Sequence, residues 1–241
     1  MTKRILLGML TPSSNTALEP ITSAMVADLP NVSAHFSRFP VTEIALSDRA
    51  LAQFDASHIL RAAALLADAK VDVIGWNGTS SGWLGFETDV WLCEQITAAT
   101  GIPATTSMLA LNEILAKAGV TRLGLVTPYR DDVQARIIAN YEALGIACCG
   151  ERHLGLQENF SFADVTPAQI ESMIREVAHE KPQAIAIVCT NMRAAPLVPR
   201  LELETGIPIY DTIATVLWKA LAIAGVDPRH VGEWGSLFQK F

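Results

Sequence analysis

Short apolar runs alternate along the chain with longer stretches in which apolar residues recur at helical spacing. The apolar runs predict strands over residues 4–10, 32–39, 71–76, 122–126, 184–188 and 207–210. The longer stretches predict helices over residues 17–28, 52–69, 88–99, 109–118, 131–144, 167–180, 196–204 and 212–224. Strands that alternate with helices in this way indicate an α/β fold with mostly parallel sheets flanked by helices.

The order of these elements recurs in the second half of the chain. Three pairs of segments are similar in the same order: "RILLGMLTP" and "RLGLVTP", "KVDVIGWNGT" and "KPQAIAIVCT", and "TGIPATTSMLALNEILAKAG" and "TGIPIYDTIATVLWKALAIAG". A repeat of this length predicts a duplicated structural unit. We therefore expect two pseudo-symmetric lobes, the first formed by residues 1–115 with 221–241 packing back onto it, and the second by residues 116–220.

The loops that follow the predicted strands are where a ligand should bind, because open α/β sheets bind ligands beyond the carboxyl ends of their strands. These loops are "TPSSNT", "NGTSSGW", "TPYRDD" and "CTNMR". Two lobes that face each other would bring all four loops into one cleft. In the repeat alignment Gly78 matches Cys189 and Thr79 matches Thr190, so the cleft is expected to carry a thiol on one side only.

Composition and charge narrow the classes of partner. Half of the 241 residues are hydrophobic, and the net charge of −7 argues against nucleic acid or an anionic membrane as a partner. No run approaches the roughly 20 apolar residues of a membrane span, and the apolar run after Lys3 and Arg4 is too short for a signal peptide. We expect a cytoplasmic protein whose cysteines are thiols, with Cys93, Cys148 and Cys149 in structural roles.

The first-lobe loop, residues 77–82, is rich in hydroxyl and backbone N–H groups, which favour an anion. It contains no lysine and matches neither a P-loop nor a dinucleotide fingerprint, so a carboxylate or an enediolate suits it better than a triphosphate. The alternative is a solvated Gly/Ser turn. The five histidines show no metal-ligand spacing, which makes a metal site improbable on sequence grounds.

Cys189 has two interpretations. It is either an inert buried thiol, as many cysteines are, or an acid–base group whose pKa is lowered from about 8.5 by the amides of Thr190 and Asn191. Tyr129, in the corresponding loop of the other half-site, is either a phenolic donor to a ligand or an aromatic residue at the interface between the lobes. A cysteine–histidine pair stays open, although nothing local favours it.

At these loops the sequence resembles the aspartate/glutamate racemase superfamily, in particular its arylmalonate decarboxylase and maleate cis–trans isomerase branch. The resemblance covers nearly the whole chain, and it depends on "PSSNT", "GTSS", "TPYRDDV", Cys189 and "GIPIYDTIATVLWKALAIAG". It implies two pseudo-symmetric α/β lobes with the active site between them, and an enzyme that needs no cofactor and no metal.

The resemblance also implies residue roles. Racemases and maleate isomerases of the superfamily have a cysteine in each lobe, whereas this chain has Gly78 at the first-lobe position, which resembles the decarboxylases. Thr79, Ser80 and Tyr129 would then hold a carboxylate and stabilise an enediolate, and Cys189 would deliver a proton to one face. Polar residues of these loops suggest a more polar substrate than an aryl malonate, namely Ser14, Asn15, Asn191 and Arg193. Gly78 and Thr190 complete the expected substrate-binding residues.

Three functional hypotheses follow. The first is a cofactor-independent decarboxylase-like enzyme that acts on a small, malonate-type carboxylate through an enediolate. The second is an isomerase of the maleate isomerase or racemase type, which would use Cys189 with a non-cysteine partner such as Tyr129 or a bound water. The third is a non-catalytic protein that binds a carboxylate. A small carboxylate is the expected partner in each case, and a homo-oligomer is compatible with all three.

Overall fold

The computed structural model describes residues 3–241, and their strands form two four-stranded parallel sheets. The first sheet has the order β2-β1-β3-β4, formed by Ile5–Pro12 (β1), Val32–Phe39 (β2), Val73–Trp76 (β3) and Ala104–Thr106 (β4). The second has the order β6-β5-β7-β8, formed by Arg122–Val126 (β5), Ala147–Arg152 (β6), Ala184–Ile187 (β7) and Ile209–Asp211 (β8). The shared strand order confirms the predicted α/β fold with two lobes.

Helices flank both sheets. They are Leu18–Met25 (α1), Asp48–Leu51 (α2), Ala56–Asp68 (α3), Ser81–Leu84 (α4), Glu87–Thr100 (α5), Ser107–Lys117 (α6), Asp131–Ala143 (α7), Pro167–Ala178 (α8), Val198–Thr205 (α9), Thr212–Ile223 (α10) and Leu237–Lys240 (α11). The predicted helix 52–69 is divided, because the Asp55 side chain accepts a hydrogen bond from the Ser57 amide and starts α3. No helix among residues 3–241 is both long and apolar enough to cross a membrane.

The repeat extends to the ends of matching helices. Helices α5 and α9 end at Gly101 and Gly206, each in the left-handed region with φ of 71°. One residue earlier, the hydroxyls of Thr100 and Thr205 each donate 2.7 Å hydrogen bonds to a carbonyl of the preceding turn. The "TGIP" segments therefore build the same helix end in both lobes, where glycine carries little steric cost.

Two strands escaped the sequence prediction. β4 has only three residues and runs directly into α6, so it carries no alternating pattern of its own. β6 lies at the edge of its sheet and shifts register against β5 between Leu123 and Gly124. Half-buried residues and an irregular register give an edge strand no continuous apolar run.

Helices α6 and α10 join the two sheets. α10 packs on α6 and also contacts β3, β4 and β8, and the Thr215 hydroxyl donates a 2.9 Å hydrogen bond to the Ser107 carbonyl. The C-terminal segment, residues 228–240, contacts α10 and α9. The Ser236 amide of this segment donates a hydrogen bond to the Glu202 carboxylate of α9. The lobe boundaries at residues 115 and 220 stay a prediction, and residues 1 and 2 of the predicted first lobe lie outside the described residues.

Candidate active site

The strand-end loops of both lobes meet around a cavity of about 20 Å³. It is lined by Pro12, Val41, Ile44, Phe54, Trp76, Gly78, Thr79, Ser80, Trp83, Tyr129, Asn159, Cys189 and Thr190. A volume of this size holds about one water molecule. The cavity therefore has to enlarge before a small-molecule ligand could enter, since ordinary ligand pockets start at roughly 300 Å³.

Cys189 lies two residues after the end of the buried strand β7 and is 2% exposed. Its amide donates to the Thr212 hydroxyl at 3.2 Å, and its sulfur accepts from the Asn191 amide at 3.4 Å. Burial raises the pKa of the thiol to about 12 and outweighs the amides of Asn191 and Met192, which lower it. The predicted lowering of this pKa is therefore wrong, because desolvation of the thiolate exceeds the hydrogen bonds it would gain.

Asp211 ends β8 and is the N-cap residue of α10, close enough to Cys189 for its charge to affect the thiol. One carboxylate oxygen accepts from the amides of Ile213 at 2.8 Å and Ala214 at 3.4 Å. The other oxygen, Oδ2, is buried and has no hydrogen-bond partner within the described chain. Burial raises the pKa of Asp211 to about 7 despite the two amides, and burial together with the charge of Asp211 keeps the pKa of Cys189 high.

Tyr129 and Thr79 join the two lobes through their hydroxyls, whose oxygens are 2.6 Å apart. The Tyr129 ring packs edge-on against Trp83 and Phe162, with ring centroids 5.3 and 5.6 Å away. Burial raises the pKa of Tyr129 well above its ordinary value, and a thiolate at Cys189 would raise it further. The phenol is therefore a neutral donor in contact with both the first-lobe loop and the thiol.

Ser80 follows Thr79 on the same loop and is the N-cap residue that precedes the single turn of α4. Its side chain lines the cavity and is 6% exposed. Gly78, Thr79 and Ser80 thus reach the cavity from one lobe, and Tyr129, Cys189 and Thr190 reach it from the other. The repeat predicted that these two groups of loops face each other, and their shared cavity agrees with that prediction.

Asn15 and Asn191 bond to the protein instead of lining the cavity. The Asn15 amide group donates to the Thr190 carbonyl at 3.0 Å, across 175 positions of sequence. The Asn191 side-chain oxygen accepts from the amides of Thr16 at 2.9 Å and Ala17 at 3.2 Å, ahead of α1. Both side chains therefore connect the lobes, and their predicted contact with substrate stays a prediction.

Ser14 does not line the cavity but contacts Asn159, which does. Its hydroxyl donates to the Val41 carbonyl at 2.6 Å and accepts from the Asn159 side chain at 2.7 Å. Arg193 is exposed and does not line the cavity. A substrate-binding role for Ser14 likewise stays a prediction.

Several residues that line the cavity lie outside the loops that the sequence pointed to. The connection between β2 and α3 contributes three of them, Val41, Ile44 and Phe54. This connection contacts the second lobe, because the Ile44 amide donates a 2.8 Å hydrogen bond to the Gln157 carbonyl. Asn159 begins a 3₁₀ turn in a segment without a motif or a counterpart in the repeat. Only a signal from long-range pairing could have located these residues, and a single sequence carries none.

The cavity lining combines neutral donors with apolar walls. Hydroxyl and amide groups come from Thr79, Ser80, Tyr129, Asn159 and Thr190, and no charged side chain is among the described residues that line the cavity. A carboxylate bound here would be held by neutral donors, which favour the charged form when they are correctly oriented. The Cys189 thiol and the Tyr129 phenol are the ionisable groups among the described residues that line the cavity.

Two α/β lobes of equal strand order, with Cys189 buried at the cavity that their strand-end loops share, define a class of proteins built from duplicated α/β lobes with a candidate site at their interface. Comparison with known proteins gives the family within that class. The chain belongs to the arylmalonate decarboxylase family, whose family model matches residues 7–238.

Individual relatives divide between two activities. The chain is 28% identical to the arylmalonate decarboxylase of Bordetella bronchiseptica, over 70% of this chain and 71% of that protein. It is 26% identical to a maleate isomerase of Pseudomonas putida KT2440, over 95% of each. Family membership is thus established, whereas the relatives do not agree on the reaction.

Solved structures show the same fold. A maleate isomerase of Pseudomonas putida S16 with maleate superposes with a TM-score of 0.87 at 24% identity and covers 98% of both chains. A double mutant of arylmalonate decarboxylase in its liganded form superposes with a TM-score of 0.83 at 21% identity, over 99% of this chain and 100% of that one.

Proposed function

We propose that this protein is a cofactor-independent decarboxylase that acts on a small, malonate-type dicarboxylate through an enediolate, with Cys189 as the proton donor. The observation that carries the proposal is the one-sided site. Cys189 lines the cavity from the second lobe, and the equivalent first-lobe position, Gly78, has no side chain that could exchange a proton. A site with an acid on just one of its two faces suits a reaction that delivers a single proton to the substrate.

The cavity would place the two carboxylates of such a substrate in different surroundings, one hydrogen-bonded and one apolar. Thr79, Ser80 and Tyr129 would donate hydrogen bonds to one carboxylate and to the enediolate that develops from it. The apolar walls, which include Val41, Ile44 and other aliphatic and aromatic groups, would surround the second carboxylate. A carboxylate without hydrogen-bond partners is destabilised by desolvation, and its departure as carbon dioxide relieves that cost.

The protonation state of Cys189 supports the role of an acid. Because its pKa is raised to about 12, the thiol keeps its proton across neutral pH. In the proposed reaction the bond between the α-carbon and one carboxylate breaks, and its electron pair moves into the remaining carboxylate to form the enediolate. The α-carbon then takes the proton from the Cys189 sulfur, and solvent returns a proton to the thiolate.

The decisive experiment measures carbon dioxide release from malonate, methylmalonate and phenylmalonate by the parent protein and by Cys189→Ala. We expect turnover of at least one malonate by the parent and a loss of about 10³-fold or more in the variant, as for other lost acid–base groups. The matched control is Cys149→Ala, which removes a half-buried thiol outside the cavity. Full activity of Cys189→Ala, or equal loss in both variants, would contradict the proposal.

Maleate isomerisation is the second candidate, and the alignment lengths favour it. The maleate isomerase relative matches 95% of this chain, whereas the decarboxylase relative matches 70%. Conversion of maleate to fumarate, followed by absorbance, without carbon dioxide release from any malonate would replace the first proposal with this one. A carboxylate that raises the melting temperature without any turnover would instead indicate a binding protein.

A further inference from the structure

The indole of Trp76 fills the first-lobe side of the site. Trp76 ends β3 and is 1% exposed. A Cβ atom placed on Gly78 would lie 1.9 Å from Cζ2 and 2.2 Å from Cε2 of this indole, well inside any normal contact. The ring therefore occupies the volume that a side chain at position 78 would need, on the part of the cavity that the repeat places opposite Cys189.

The same indole lines two spaces of very different size. One is the cavity of about 20 Å³ at Cys189, and the other is a groove of about 510 Å³. Trp76, Phe54 and Ser80 line both spaces. The groove is otherwise mostly apolar, with Ile59 and Leu92 among its lining residues.

We propose that Trp76 determines substrate specificity by limiting the size of the substituent on the reacting carbon. With the indole in place, the space beside the thiol suits hydrogen or a small alkyl group. With a smaller side chain at position 76, the cavity joins the groove, and an aryl substituent fits. This inference rests on the proposed function for its substrate class, but its steric basis, the contact between Trp76 and Gly78, does not.

The steric basis is tested first, without any substrate. Gly78→Ala should lower the melting temperature by several degrees in the parent, because a rigid ring must move. In a Trp76→Leu background the same substitution should cost clearly less, which gives a coupling between the two positions. Equal losses in both backgrounds, or no loss in the parent, would overturn the proposed contact.

The specificity is tested with methylmalonate and phenylmalonate. Trp76→Leu should shift the ratio of their kcat/KM values toward phenylmalonate by about tenfold or more relative to the parent. Phe39→Leu is the matched control, because Phe39 packs on Trp76 at 4.9 Å between ring centroids but lines neither space. An unchanged ratio in Trp76→Leu, or an equal shift in Phe39→Leu, would overturn the inference.

A second readout separates this inference from the proposed function. If no variant turns over a malonate, the proposed decarboxylase fails, and the size limit is judged by alkylation of Cys189 at alkaline pH. Mass spectrometry would compare iodoacetamide with N-benzyl iodoacetamide. Trp76→Leu should accelerate the larger reagent more than the smaller one, and equal acceleration or none would overturn the size limit.

Discussion

Replacement of Asp211 by asparagine should make the stability of this protein less sensitive to pH. Asp211 has a pKa of about 7 in the folded protein, whereas an unfolded aspartate has a pKa of about 3.9. Because the pKa is higher in the folded protein, protonated Asp211 contributes to the free energy of unfolding. This contribution is complete below the unfolded pKa and is lost as the pH rises through the folded pKa. Between the two values the free energy of unfolding falls by about 1.4 kcal/mol per pH unit.

From about pH 5 to about pH 8 this linkage amounts to roughly 2–3 kcal/mol for Asp211. Asparagine keeps the Oδ1 acceptor for the amides of Ile213 and Ala214 but does not ionise, so Asp211→Asn lacks this loss. Any constant cost of its buried amide group cancels between the two pH values. Asp89, whose pKa burial raises to about 6, titrates in both proteins and cancels as well.

The assay is urea denaturation of both proteins at the two pH values, followed by circular dichroism. The difference in unfolding free energy, variant minus parent, should be more positive at about pH 8 than at about pH 5 by roughly 2–3 kcal/mol. Asp55→Asn is the control, since this exposed carboxylate has a lowered pKa and its titration is complete below about pH 5. A pH-independent difference for Asp211→Asn would refute the argument from burial.

Three further outcomes are expected. Tyr129→Phe removes the hydroxyl bonded to Thr79 but keeps the ring, so kcat/KM should fall by about 10²-fold in steady-state kinetics, and the melting temperature should fall by a few degrees because the buried Thr79 hydroxyl loses this partner. Asn191→Ala removes the acceptor for the Thr16 amide of the first lobe and the donor to the Asn159 carbonyl within the second lobe, and urea denaturation should show a loss of about 1–3 kcal/mol. Gly206→Ala should cost about 1–2 kcal/mol because φ is 71°, whereas Gly232→Ala, in open space, should cost less than about 0.5 kcal/mol.

The sequence predicted the central strands well because they are covered on both faces. β3 and β7 consist entirely of buried residues, and such strands appear as continuous apolar runs. β4 was missed because it has only three residues, and β6 because its residues are half-buried and its register against β5 is irregular. Helix boundaries were close where a glycine or a capping side chain marks them, as at Gly101 and Gly206.

The candidate site was predictable as far as the repeat extended. The alignment of Gly78 with Cys189 placed both loops in one cleft, and both residues line the same cavity. The alignment could not show that Asn191 bonds to the amides of Thr16 and Ala17, because a polar side chain in a loop serves a ligand or the protein equally well. It also could not show the position of the Trp76 indole, which depends on its rotamer.

The neutral lining of the cavity has a consequence for the encounter with substrate. A dicarboxylate that approaches a chain of net charge −7 is repelled at long range, and added salt screens that repulsion over a Debye length of about 10 Å at 0.1 M. Once bound, the substrate would depend on hydroxyl and amide dipoles, which mobile ions screen much less than they screen a surface ion pair. The KM of this protein should therefore stay level or fall as ionic strength rises, opposite to a site that attracts its anion with arginine.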